Sequence, residues 1–188
     1  MNKRISVISP IAFVLFGVLS FSPIATADTQ LRPLVSFVGA DTRIAKVDFL
    51  RITTRESWIR LWLEHQGKAG RPEDYDKYKP SGAPEIDFER CMVIAITESP
   101  GPANAGIVAV SVSEAAQDIT FDYDNMQYQY REGTCAPGNA YGFFVLPLST
   151  KPVAVRHNVQ DFQSRIKRDP PVWKEVKRFD ALKSPVAK

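Results

Sequence analysis

The sequence predicts an α+β fold: a single domain built mainly on antiparallel β-sheet, of about seven strands, with one well-defined amphipathic helix. Three observations lead to this prediction. One segment has a clear helical period, whereas several short segments have the two-residue period or the β-branched content of strands. Short links rich in turn-forming residues join most of these segments. The chain shows neither an internal repeat nor a second core, which favours one domain.

The first elements are two strands and the helix. Residues 34–39 and 45–52 have the length and composition of strands, separated by a break at 39–41. The helix is expected at 54–66, beginning with a capping box of Thr53 and Glu56 and ending where Gly67 can adopt a left-handed conformation. Its apolar stripe consists of residues spaced i, i+3, i+4 and i+7, namely Trp58, Leu61, Trp62 and His65.

A long connection and a buried strand come next. Residues 67–90 contain three prolines, three glycines and many charges, with Tyr75 and Tyr78 between them. Residues 91–97 form a nearly continuous apolar run, which is typical of a central strand buried on both faces.

The second half of the chain has mainly strand patterns. Residues 118–124 alternate, with Ile119, Phe121 and Tyr123 on one face and acidic residues on the other. A turn is expected at Asp124-Asn125, a hairpin over 141–156, a short helix at 160–167 and a frayed tail at 181–188. The further strands are predicted at residues 107–112, 126–131, 141–146, 152–156 and 172–179.

The first 27 residues have the pattern of a signal peptide. Lys3 and Arg4 precede the apolar stretch 11–19, and Ala25-Thr26-Ala27 is a small-x-small cleavage site. The alternative is an uncleaved anchor, but prolines and serines interrupt the run below the roughly 20 apolar residues that a spanning helix needs. We therefore expect a periplasmic or extracellular protein without membrane insertion after cleavage, with its globular domain at 28–180.

Charge excludes one class of partner. The formal net charge is +3, but Lys3 and Arg4 are the charged residues of the first 27, so residues 28–188 carry 22 basic and 21 acidic side chains. A chain so close to neutrality has no electrostatic footprint for nucleic acid.

Two cysteines, Cys91 and Cys135, are present in a chain that we expect to be exported. An oxidising compartment favours a disulfide between them, which would close a loop of about 45 residues. Two alternatives stay open: unpaired structural thiols, since Cys91 opens an apolar run, or a nucleophile activated by a nearby histidine. The spacing of cysteines and histidines fits no zinc site.

The order of elements resembles a known family. The segments that carry the resemblance are residues 54–62, the run Pro84-Glu85-Ile86-Asp87-Phe88, the strand at 92–96 and residues 141–147. Together they resemble the PrcB C-terminal-like domain of secreted bacterial proteins, over residues 45–157. The resemblance implies a non-catalytic role in assisting or stabilising a partner protein. The Cys91/Cys135 pair and an insertion at 67–83 depart from the family pattern.

Few residues suggest chemistry. His65 lies on the helix stripe and His157 at a strand end, positions that favour structural roles. Neither a nucleophile elbow nor a histidine metal motif is present. Three carboxylates on one strand face, Asp118, Asp122 and Asp124, could ligate calcium, but they suit a solvated face or the screening of a sheet edge better.

Tyrosines form the last group, and its members on adjacent predicted strands are Tyr123, Tyr128, Tyr130 and Tyr141. They could pack in the core, or form a flat platform for a glycan or peptide. We expect a non-enzymatic exported domain without a cofactor that engages another exported protein through a sheet edge or an aromatic surface. The alternatives are a carbohydrate- or small-ligand-binding module that uses the tyrosines, and a hydrolase of unrecognised type.

Overall fold

A computed structural model describes residues 28–68, 81–101, 104–127, 138–160 and 170–183. In these ranges the chain forms nine strands and one α-helix, α1, at Arg55–His65. The strands are β1 (Thr29–Leu31), β2 (Val35–Gly39), β3 (Asp48–Ile52), β4 (Cys91–Thr97), β5 (Asn104–Glu114), β6 (Ile119–Gln127), β7 (Tyr141–Pro147), β8 (Val153–Asn158) and β9 (Trp173–Phe179).

Several predicted segments lie outside the described residues. They are the signal peptide at 1–27, most of the insertion at 67–83, the strand residues 128–131, residues 161–167 of the second helix and the end of the tail at 184–188. These predictions stay predictions.

The strands form two sheets. A four-stranded sheet has the order β2-β7-β4-β3, and a five-stranded sheet has the order β1-β5-β6-β8-β9. All neighbours are antiparallel except β6 and β8, which are parallel. The fold is thus broadly α+β and mostly β, as expected, but the described residues form nine strands in two sheets rather than about seven.

The main core lies between the two sheets. Alternation along β4 directs Met92, Ile94 and Ile96 toward the five-stranded sheet, where they join a cluster with Phe121 of β6 and Val155 of β8. The other face of β4 packs toward α1, and every residue after the first in this strand is buried. The prediction of a central strand buried on both faces is confirmed.

Helix α1 covers the outer face of the four-stranded sheet. Trp58 is fully buried there, and its Nε1 donates to the Pro84 carbonyl at 2.8 Å. Ile59 and Leu63 are also buried, because the chain near Ala83 packs on a second side of the helix. The buried surface of the helix is therefore wider than the single predicted stripe.

The ends of α1 agree with the expectation to within one residue. The N-cap is Thr54 rather than Thr53, and its hydroxyl accepts a hydrogen bond from the Ser57 amide at 3.3 Å. At the other end Gly67 has φ 66°, as predicted. Two backbone bonds close a Schellman motif there, from the Gly67 amide to the Glu64 carbonyl and from the Lys68 amide to the Leu63 carbonyl.

The expected turn at Asp124-Asn125 was wrong, because β6 continues through it to Gln127. Both residues form side-chain hydrogen bonds within the sheet. The Asn125 amide donates to the Asp124 carboxylate at 2.7 Å, and Asn125 Nδ2 donates to Glu98 at 2.7 Å.

Two other strand expectations also need correction. Strands β7 and β8 do not form a hairpin, because the link between them crosses from the four-stranded to the five-stranded sheet. Strand β1 was not expected, and it pairs with the C-terminal end of β5.

One arginine links the two sheets at their rim. The guanidinium of Arg51, on β3, donates to the carbonyl oxygens of Ser149, Lys151 and Asp180. These carbonyls belong to the link between β7 and β8 and to the residue after β9. In the described part of the chain, no helix combines the length and the apolar character required to cross a membrane.

Candidate functional site

Four of the described strands lie at sheet edges, and they differ in how they are protected. The edges are β1 and β9 of the five-stranded sheet, and β2 and β3 of the four-stranded sheet. An edge strand presents unpaired backbone groups that can pair with another chain, and natural proteins block this with charge, short length or a covering group.

Three of the edges carry such protection. Strand β1 is only three residues long, and four of the seven residues of β9 are charged. On β3 the Phe49 amide donates to the Asp48 carboxylate at 2.9 Å, an acceptor outside the strand ladder. Asp48 in turn pairs with Lys46, whose Nζ lies 3.2 Å from its Oδ2. A strand that added to β3 would have to displace these groups.

Strand β2 has no such protection among the described residues. Its five residues, together with Leu34 before it, include no charged side chain. Leu34, Val35 and Val38 are 61%, 47% and 40% exposed. On its inner side β2 pairs with β7, and Phe37 anchors it by packing against aromatic rings of α1. We name residues 34–39 the β2 edge.

A polar cluster lies at the Gly39 end of the β2 edge. Gly39 pairs with Tyr141 of β7, and a Cβ at position 39 would lie 2.9 Å from Tyr141 Cε1 and 3.1 Å from its hydroxyl. The tyrosine ring therefore lies across the edge strand at the one position that lacks a side chain. The same Cβ would lie 3.1 Å from Asp41 Oδ1, so the carboxylate and the hydroxyl are both close to this position at the end of the edge.

The opposite face of Gly39 is covered by β5. A Cβ at Gly106 would lie 2.8 Å from the Gly39 amide nitrogen and 3.1 Å from its carbonyl oxygen. Gly106 also has φ 126°, a conformation that side chains other than hydrogen rarely allow. The two glycines therefore permit close contact between the sheets here. Because β5 covers one face of Gly39, a partner's side chain would approach Gly39 from the face on which Tyr141 lies.

Electrostatics link the polar cluster to the end of α1. The pKa of Tyr141 is raised, first by burial and then by the charge of Asp41 and the hydrogen bond to it. The His65 ring contacts Tyr141, with centroids 4.5 Å apart. Burial lowers the pKa of His65, and the Asp41 carboxylate opposes this in part. His65 Nδ1 is buried and has no hydrogen-bond partner in the described ranges.

A shallow groove lies between α1 and β3. Its apolar lining includes Leu50 and Leu61. Charged side chains at the groove pair with one another, since Lys46 Nζ lies 3.2 Å from Asp48 and 3.8 Å from Glu64. The site residues predicted from the sequence, where they are described, do not line this groove.

Tyr123 does not belong to a surface platform. It is 2% exposed, and its ring stacks on His157 with centroids 4.7 Å apart and 13° between the planes. Burial raises its pKa, and the charges of Glu98 and Asp124 add to the effect. Tyr123 is a core residue because the inward face of β6 packs between the sheets. Tyr141 is partly buried beside the cluster between α1 and the four-stranded sheet, and Tyr128 and Tyr130 lie outside the described residues.

Asp122 is neither solvated nor at an edge. It is 4% exposed on β6, a central strand. Its carboxylate accepts from Arg156 Nε at 2.6 Å, from Arg156 Nη2 at 2.8 Å and from Ser111 Oγ at 2.8 Å. The pKa of Arg156 is raised, chiefly by its hydrogen bond to Asp122. A calcium ion would have to replace these partners, so the arrangement does not favour the calcium alternative.

The other two carboxylates of that alternative also have protein partners. Asp124 accepts from Asn158 Nδ2 at 3.0 Å, and Asp118 Oδ2 lies 3.4 Å from Arg178 Nη1. Within the described ranges, histidine, cysteine and acidic residues form no group of three or more that could hold a metal ion. The alternation predicted for this strand was correct, but its acidic face forms ion pairs and hydrogen bonds across neighbouring strands.

The cysteines and histidines have structural surroundings where they are described. Cys91 is partly buried and packs beside the cluster between α1 and the sheet. Cys135, its predicted partner, lies outside the described residues, so the disulfide stays a prediction. His65 packs among aromatic rings, and His157 stacks on Tyr123 with its Nε2 4.0 Å from Asp124.

Sequence patterns predict β2 as a strand but not as an edge. They single out Tyr141 among the tyrosines, but they miss its position beside Asp41. Asp41 and Tyr141 are 100 positions apart in the chain, and only the register of β2 on β7 brings them together. The one local signal is the break after the apolar strand, where Gly39 and Ala40 precede Asp41.

Comparison with known proteins found no relative. No protein-family model matches this chain, and neither a curated protein nor a solved structure matches it. The resemblance to the PrcB C-terminal-like domain therefore stays a prediction, and the functional argument depends on the geometry of the chain.

Proposed function

We propose that this protein is an exported, non-enzymatic binding domain that engages another exported protein by accepting one of its extended segments at the β2 edge. The segment would add a fifth strand to the four-stranded sheet. The observation that carries the proposal is that β2, unlike the other three described edges, combines exposed apolar side chains with a lack of charged residues. Among the described residues, β5 packs on this strand at Gly39, its last residue.

The energetics of strand addition suit this edge. Backbone hydrogen bonds along β2 would supply affinity that does not depend on sequence, and pockets for alternate side chains would supply specificity. Complete burial of a large aliphatic side chain contributes about 1.5–3 kcal/mol. Leu34, Val35 and Val38 are about half exposed, so each would contribute about 1 kcal/mol when a partner covers it.

A charged residue on the edge provides the test. We expect Val38→Lys to abolish recovery of the partner from the native exported fraction, because pairing would bury the new ammonium group. Val176→Lys is the matched control, since Val176 is a valine 37% exposed on edge strand β9, against 40% for Val38. Circular dichroism should show that both variants fold. Equal recovery of a partner by wild type and Val38→Lys would contradict the proposal, as would recovery of wild type only as a free monomer.

The alternative of a carbohydrate- or small-ligand-binding module draws no support from the described residues. It depends on surface tyrosines, and Tyr123 is in the core. On the polar face of the five-stranded sheet, Asp122 and Arg156 form an ion pair with each other, so their charged groups are not available to a ligand.

A further inference from the structure

The cluster at the Gly39 end of the β2 edge combines an anionic group with two aromatic rings. The Asp41 carboxylate is exposed, and it has no ion-pair partner in the described part of the chain. The nearest basic residue in sequence, Arg43, packs its side-chain stem beside Gly67. The Tyr141 hydroxyl and the Asp41 carboxylate lie close to the same point at Gly39, and the His65 ring lies against the tyrosine ring.

We infer that this cluster selects a lysine or arginine in the segment that adds to β2. The partner segment would then be uncharged along the β2 edge and basic where it passes Gly39. This inference rests on the proposed function, and it specifies the chemistry of the partner. A carboxylate close to a tyrosine hydroxyl attracts an ammonium or guanidinium group by charge and hydrogen bonding together.

The geometry places such a side chain within reach. An added strand would lie about 4.8 Å from β2, and directly opposed side chains on neighbouring strands have Cβ atoms about 5 Å apart. Tyr141 belongs to the helix-facing side of the sheet, and its ring lies across Gly39. Because Gly106 covers the other face of Gly39, a long side chain would approach on the helix-facing side, where it meets the Tyr141 hydroxyl and Asp41.

Charge complementarity favours a basic residue over an acidic or neutral one. The β2 edge itself carries no charge, so Asp41 would dominate the field that the partner meets at the Gly39 end. An acidic residue there would be repelled by Asp41, and a neutral residue would leave the carboxylate with only its tyrosine partner. The preference should weaken as salt concentration rises, because Asp41 is exposed.

Selection from a displayed library of random octapeptides tests the inference. The baits are the wild-type protein, Asp41→Asn and Val38→Lys. We expect wild type to enrich peptides with an uncharged, β-branched or aromatic stretch and a lysine or arginine at one end. Asp41→Asn, which preserves the shape of the side chain, should enrich the same stretch without the basic residue. For a selected peptide, replacing its lysine by glutamine should weaken binding to wild type about five-fold and leave binding to Asp41→Asn unchanged.

The outcomes separate this inference from the proposed function. Two results would overturn the inference and leave the proposed function intact. One is selection of peptides that depend on Val38 but carry no basic residue. The other is that peptides selected by Asp41→Asn still carry the basic residue. If wild type enriches no peptides, or if Val38→Lys enriches the same ones, the proposed function fails and the inference fails with it. Amide chemical-shift changes on peptide addition that are confined to the β2 edge and residues 40–41 would support both.

Discussion

The His65 ring lies against Trp62, Tyr141 and Phe143 at the end of α1. Burial lowers its pKa, while the carboxylate of Asp41 opposes this in part. The unfolded chain therefore binds this proton more tightly than the folded chain does. The free energy of unfolding should fall as pH drops below the ordinary value of 6.5 toward the lowered pKa.

We expect His65→Phe to remove this component of the pH dependence. Phenylalanine keeps the aromatic contacts and cannot titrate. Urea unfolding between about pH 7.5 and 5 should show a smaller loss of stability for the variant than for wild type. Parallel curves for the two proteins would mean that groups other than His65 cause any decline.

The Asp122–Arg156 pair should matter far more to stability than an exposed pair of the same type. Arg156→Ala leaves a carboxylate that is 4% exposed with Ser111 as its described side-chain partner. We expect a loss of about 2 kcal/mol in urea unfolding, below the cost of breaking a fully buried pair because the arginine is partly exposed. Arg178→Ala, which removes an arginine from an exposed pair with Glu175, should cost much less. Similar losses for both variants would show that Asp122 is not held as the structure indicates.

At the scale of elements, substitutions at the N-terminus of α1 test whether Thr54, the observed cap, or Thr53, the predicted cap, stabilises the helix. Thr54→Ala removes the hydroxyl that accepts from the Ser57 amide, and we expect a loss of about 1 kcal/mol. Thr53→Ala should cost clearly less, because Thr53 is not the capping residue. Thermal unfolding of the two variants checks this, and the reverse order of stability would favour the capping box of Thr53 and Glu56.

Local periodicity predicts the elements that depend on local physics. The helix and β4 were predictable from their own sequences. An apolar stripe indicates a helix buried on one side, and a continuous apolar run indicates a strand buried on both faces. The turn expected at Asp124-Asn125 failed because these turn-forming residues bind partners distant in sequence, Glu98 and Asn158, from within the strand. The alternation of β6 was predictable, but the burial of Asp122 required its partner on β8.

The candidate site was less predictable than the strands that form it. Exposure of Val35 and Val38 depends on β2 being an edge, and sheet order is a property of the whole chain rather than of the strand. An apolar strand sequence alone looks the same at an edge and in the centre of a sheet.

At the scale of the whole molecule, substitution of Arg51 should affect the most distant parts of the chain. Arg51→Lys keeps the charge, but a single ammonium cannot span three carbonyl groups as the planar guanidinium does. We expect a loss of about 2 kcal/mol in urea unfolding, with faster hydrogen exchange near Ser149 and Asp180. Arg60→Lys on the exposed face of α1 is the control and should be nearly neutral. If Arg51→Lys were as stable as wild type, contacts other than those of Arg51 would hold the two sheets together at this rim.

The order in which the chain fills the two sheets has a consequence for how the protein is made. Strand β7 belongs to the sheet of β2, β3 and β4, yet it follows β5 and β6 of the other sheet and precedes β8 and β9. No contiguous stretch of chain therefore contains all the strands of one sheet without strands of the other. Until synthesis reaches β7, roughly 100 positions after β2, the apolar strand β2 has both flanks open to any nearby polypeptide. A newly made chain would be at greatest risk of mispairing in that interval, and a chaperone that shields nascent strands would be of most use then.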